Sequence, residues 1–225
     1  MGAEVRDCRL LSSKGCMLIP FDEMFARHSI KAPGALHLGA SLGQEAATYA
    51  ALGVKKVIWV EALPEVHTLL EYNVAKYPDS IALSACIGDR DGRMVTFHMA
   101  NNEGQSSSML ELGTHAQEHP SVHYVKDIKL LTIRVDTLLR ANGIVVGPDW
   151  FLNVDLQGAE LLALHGMGDL LWQFKYAYVE VNERHLYQGC PLVKDIDEYL
   201  AQYGFAGQET KMMKQGWGDK LYIRQ

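Results

Sequence analysis

Two acid-bearing stretches stand directly behind apolar runs in this chain. DLQGAE, residues 155–160, follows WFLNV, and Glu180, Glu183 and His185 lie at or just behind the end of FKYAYVEVN. Carboxylates and imidazoles grouped at strand ends are the groups that take a proton from a hydroxyl. Asp155, Glu180 and His185 are therefore the candidate catalytic residues, although each alone reads equally well as a helix cap or a solvated loop charge. Asp155, Glu180 and Glu183 together also form an oxygen donor set that suits Mg²⁺. The spacing does not say which side chains converge, so no metal is assigned. Glu160 falls in the first turn of the following helix, where the N-terminal dipole favours an acid. His115, His119 and His123 recur every fourth residue, but Pro120 breaks the helix that would align them. That stretch reads as an insertion loop rather than a zinc site. Tyr187, Gln188 and Gly189 are either part of an acceptor pocket or an ordinary aromatic loop.

A second group of signals points to a nucleotide. HLGASLGQE places Gly39 and Gly43 between an apolar run and a helical one, where glycine permits a sharp turn and close approach to a ligand. The dinucleotide fingerprint GxGxxG is absent, because Ala40, Ser41 and Leu42 separate the two glycines. Glu61 closes the run VIWVE about twenty residues past this turn, where a carboxylate accepts both hydroxyls of a ribose. A solvated acid at a strand end is the alternative reading.

The elements that must position these groups alternate. GALHLGA, KKVIWVEA, SIALSACIG, DWFLNVDL and FKYAYVEVN read as strands, interleaved with the helical stretches GQEAATYAAL, PEVHTLLEYNVAKY, GAELLALHGM and PLVKDIDEYLAQYG. Such alternation predicts an α/β domain with a mostly parallel sheet and helices on both faces. Pro64 suits a helix start and Gly53 a helix stop. FAGQETKMM and KLYIRQ, separated by QGWGD, predict an antiparallel hairpin that brings the strand count to seven. RMVTFHMA and KDIKLLTIRV are extra strand-like runs, and DTLLRANG predicts a short helix capped by Asp136. Residues 1–33 read as an N-terminal extension carrying one helix, FDEMFARHSI, ahead of a single domain over 34–225. In such sheets ligands bind beyond the carboxyl ends of the strands, which is where the acids and glycines fall.

Composition narrows the class. A net charge of -6 argues against broad affinity for nucleic acid. No apolar run approaches the ~18 residues of a membrane-spanning helix, and Arg6 stands where a myristoylation signal needs Ser or Thr. Cys8, Cys16, Cys86 and Cys190 match neither a disulfide framework nor a paired zinc motif. A cytoplasmic protein with reduced thiols is expected. The sequence assigns no oligomeric state.

Taken in order, HLGASLGQEA, WVEALP, SACIGDRDG, NNEGQSSSML, NVDLQGAELLALHGM and VEVNERHLY resemble the FkbM-type S-adenosylmethionine-dependent methyltransferases. The resemblance covers about residues 34–225, with Asp155 to Glu160 its sharpest element. It implies a Rossmann-like, seven-stranded class I methyltransferase fold and O-methylation of a sugar, glycan or other small hydroxylated acceptor. It further implies that His37, Gly39, Ala40, Ser41 and Gly43 cradle the cofactor and that Glu61 holds the ribose. Ala62 and Leu63 would flank the adenosine, Ile87 and Gly88 the adenine, with Gln105, Ser106, Ser107 and Ser108 lying across the cofactor and Asp155 at its reactive end. The chain departs from the family at His37, where an aspartate is usual, and at Ser41, where an asparagine is usual. Two other readings stay open: a nicotinamide-dependent Rossmann oxidoreductase, and a catalytically silent cofactor-binding module.

Overall fold

The computed structural model describes residues 17–225; the expectations for Arg6, Cys8 and Cys16 lie outside the described residues. The chain runs α1 (Phe21–Arg27), β1 (Gly34–Leu38), α2 (Ala46–Ala51), β2 (Lys56–Glu61), α3 (Pro64–Val74), β3 (Ser80–Ser84) and β4 (Cys86–Ile87). It continues with β5 (Met94–Ala100), α4 (His115–Glu118), β6 (Tyr124–Ile133), α5 (Val135–Ala141), β7 (Trp150–Val154) and α6 (Glu160–Met167). A 3₁₀ turn (Gly168–Gln173), β8 (Phe174–Asn182), α7 (Val193–Ala201), β9 (Phe205–Met212) and β10 (Trp217–Arg224) complete it.

The main sheet has seven strands in the order β3-β2-β1-β7-β8-β10-β9. The first five are parallel, and β10 pairs antiparallel with both β8 and β9. The predicted hairpin is present, with β10 inserted between β8 and β9. β1 and β7 are buried at every position, because helices cover both faces of a central parallel strand. Alternation along each strand divides two cores. Leu36, Leu38, Ile58, Val60, Leu152 and Val154 face the side of α5, α6 and α7. Ala35, Val57, Trp59 and Phe151 face the other side, where Phe21 and Phe25 of α1, Tyr49 of α2 and Leu70 of α3 pack.

Two local expectations are corrected. SIALSACIG is not one strand: the chain leaves the main sheet after Ser84, and β4 pairs with β6 in a small sheet of order β4-β6-β5. Asp136 does not cap α5. Arg134 holds the extended backbone that an N-cap requires, and Asp136, one residue inside the helix, accepts from the Arg134 guanidinium at 2.9 Å. No helix among the described residues is long and apolar enough to cross a membrane.

Candidate functional site

The loops beyond β1, β2, β4 and β7 part around a cleft that all four help to line. Gly39, at the end of β1, has φ +81°, and a Cβ there would overlap the Asp155 carbonyl. Glycine is thus required for the β1 and β7 loops to meet. Ser41 is also left-handed, at φ +46°. Its N–H donates to Glu61 Oε2 at 2.9 Å, while Leu63 N–H donates to Glu61 Oε1 at 2.9 Å. One carboxylate therefore ties the first two loops together. Burial pushes the Glu61 pKa up, and the two backbone donors work against that rise.

Ala40, Ala62, Leu63, Val66, Ile87 and Phe97 give the cleft an apolar wall, and Gly104, Gln105 and Ser107 close one side. Ser106 lies off the lining, its hydroxyl accepting from Asn102 at 2.9 Å. Gly43 and Gly88 also lie off the lining and pack instead against α3 and Thr132. Ser108 donates to the Gln157 carbonyl at 2.8 Å, linking the serine segment to the β7 loop. His37 reaches the cleft floor but is packed: its ring stacks on Trp59 at 5.2 Å and its Nε2 accepts from Asn153 at 3.0 Å. Burial lowers its pKa to about 3, so the ring is neutral.

Asp155 and Glu180 converge. Gln157 Nε2 donates to Asp155 Oδ1 and to Glu180 Oε2, each at 2.6 Å, and Gln157 Oε1 accepts from the Tyr187 hydroxyl at 2.6 Å. Burial, then the Asp155 charge, raises the Glu180 pKa well above the usual carboxylate range. Glu183 is exposed, outside this group. His185 is exposed too, and its Nδ1 lies 2.8 Å from the Cys190 carbonyl, which makes that nitrogen a donor. Among the described residues no group of three or more His, Cys, Asp or Glu side chains is arranged to hold a metal ion. α4 stops at Glu118, before Pro120, with the His115 and His119 rings tilted against each other at 4.8 Å.

Glu160 is more than a helix-dipole acid. It is fully buried, and its Oε1 accepts from Leu156 and Gly158 at 3.0 and 2.9 Å, holding the β7 turn. Burial pushes its pKa up to about 7. Sequence reasoning passed over two residues. They are Gln157, between the two acids, and Glu45, on the cleft wall. Nothing local marks either, because both roles depend on neighbours from distant strands.

The sheet order, with a cleft over the ends of β1, β2 and β7, defines the Rossmann-like class I methyltransferase fold. The Methyltransferase FkbM domain matches residues 37–206, and the chain belongs to that family of S-adenosylmethionine-dependent methyltransferases. The 2-O-methyltransferase NoeI of Sinorhizobium fredii is 24% identical over 184 residues, 78% of this chain and 74% of that protein. The putative methyltransferase yhhF of Escherichia coli shares the fold at TM-score 0.50 and 13% identity, over 91% of this chain and 82% of that one. Magnesium protoporphyrin IX methyltransferase (ChlM) from Synechocystis PCC 6803 with bound SAH does so at TM-score 0.50 and 10% identity, over 91% and 80%.

Proposed function

We propose that this protein is an S-adenosylmethionine-dependent O-methyltransferase acting on a hydroxyl of a small molecule, with a sugar or glycan as the acceptor class. The observation that carries the reading is the Asp155–Gln157–Glu180 group, in which half-buried Asp155 and Gln157 line the cleft and Glu180 lies buried behind them. The similarity to a 2-O-methyltransferase supports oxygen as the acceptor atom. The residues present fit the cofactor: Glu61 keeps lone pairs for ribose hydroxyls, and Leu63, Val66, Ile87 and Phe97 offer an apolar slot for a purine. When bound, S-adenosylmethionine supplies an electrophilic methyl group on a sulfonium.

The chain's part is to position, dry and deprotonate the acceptor. Asp155 is the general base, using the carboxylate oxygen that Gln157 leaves free. Burial and the neighbouring Asp155 charge favour the neutral form of Glu180, which relieves the repulsion between two adjacent carboxylates. Tyr187 holds the Gln157 amide in the orientation that serves both acids. His185, tied to Cys190 and exposed, is placed to meet an acceptor outside the acid pair. Cys86 and Cys190 are free and buried, which suits the cytoplasm expected from the cysteine spacing.

The test is transfer of a labelled methyl group from S-adenosylmethionine into a panel of oligosaccharides and small alcohols, with S-adenosylhomocysteine titrated in parallel. Binding with transfer to a hydroxyl is expected. Binding with no transfer to any acceptor would favour a silent module, and no binding by folded protein would end the cofactor assignment.

A further inference from the structure

Glu45 is a buried charged residue on the cleft wall that no step above uses. It immediately precedes α2, is 5% exposed, and lines the cleft with His37, Gly39 and Asp155. Among the described residues its carboxylate makes no hydrogen bond to another side chain and no ion pair. The stabilising contact it has is with its own backbone N–H, and the nearby Asp155 charge opposes ionisation. An anion buried without a counter-charge is costly. Among the described residues the cleft lining holds no Lys or Arg, and its imidazole, His37, is neutral. Among the described residues no cation stands opposite Glu45, so a positively charged group on a bound ligand fits this position.

Strand order indicates which part of a nucleoside ligand reaches Glu45. Along the sheet edge β2, β1 and β7 are neighbours in that order. With the ribose on Glu61 at the end of β2, the purine enters the slot of Leu63, Ile87 and Phe97 on the β4 side. The 5′ substituent then runs the other way, across Gly39 toward Asp155 and Glu45. In S-adenosylmethionine that substituent ends in an α-amino acid. We propose that Glu45 is the counter-ion of the cofactor's α-ammonium group and so selects nucleosides whose 5′ chain bears an ammonium. Burial, with the Asp155 charge, pushes the Glu45 pKa up to about 7, as an acid awaiting a cation would show.

The inference rests on the cofactor assignment above, and calorimetry separates the two. Wild type and Glu45→Gln are titrated with S-adenosylhomocysteine and with 5′-deoxy-5′-methylthioadenosine, which keeps base, ribose and thioether but lacks the amino acid. Glu45→Gln is expected to lose about ten- to a hundredfold in affinity for the first ligand and less than about threefold for the second, the range of a charge-assisted hydrogen bond. Equal losses for both, or none for S-adenosylhomocysteine, would overturn it. Wild type that binds neither ligand refutes the cofactor assignment instead. Should the variant not fold, the desamino analogue of S-adenosylhomocysteine on wild type keeps the question open to refutation: a comparable loss supports the ion pair, and undiminished affinity sinks it.

Discussion

His37 shows how a residue's neighbours decide its chemistry. The family resemblance makes it part of the cofactor cradle. Stacking on Trp59 and the Asn153 hydrogen bond make it a neutral member of the core that still touches the cleft floor. With a folded pKa of about 3 against 6.5 when unfolded, His37 binds fewer protons folded than unfolded between those values. Its contribution to stability is therefore present above pH 6.5 and lost as pH falls, at about 1.4 kcal/mol per pH unit. His37→Phe should accordingly destabilise less at pH 5 than at pH 8. Denaturant melts at both values check this, and an equal or larger penalty at pH 5 would contradict a neutral buried ring. Glu61 was legible from the sequence because an acid closing VIWV must emerge at the ligand edge. Glu61→Ala should weaken S-adenosylhomocysteine binding by at least about tenfold, since it frees the Ser41 and Leu63 N–H groups and removes the ribose acceptor. Unchanged affinity by calorimetry would remove Glu61 from the site. Asp155→Asn should lower kcat by about 10²- to 10⁴-fold, as expected for loss of a general base. A fall in KM-dependent terms alone, with kcat intact, would assign the proton to another group.

At the scale of elements, the β4-β6-β5 sheet is what brings the serine segment to the cleft. The strand-like character of β5 and β6 was readable from alternation, but their pairing with a β4 split from β3 was not, since only long-range register decides it. The fully buried Ser108 joins this sheet to the β7 turn: its hydroxyl donates to Gln157 and accepts from Leu110 N–H at 3.0 Å. Ser108→Ala should cost about 1–3 kcal/mol by leaving two buried groups unpaired. Hydrogen exchange should quicken at residues 105–110 and 155–160 together. Acceleration confined to one segment would show that the two are not coupled through this bond. α5 teaches a smaller lesson. Asp is a favoured cap, yet the capping position needs extended backbone, and here that falls on Arg134.

For the whole molecule, α1 is part of the core rather than an appendage in packing terms. Phe21 is buried against Phe25, Tyr49, Phe151 and Tyr178, with ring centroids 5.2–6.1 Å apart. Phe21→Ala should destabilise by about 3–5 kcal/mol in a single cooperative transition. A separate early transition, with the main one unmoved, would make α1 an independent extension. Sequence alone determined the alternation of strands and helices, the hairpin, the glycine turn and the acid about twenty residues beyond it. These follow from periodicity and backbone conformation, which are local. Only the tertiary structure decided that β10 lies between β8 and β9, that Gln157 bridges Asp155 and Glu180, and that Glu45 is buried on the cleft wall. Register, burial and charge environment are properties of segments far apart in the chain, and they come into being only when the sheet closes those distances.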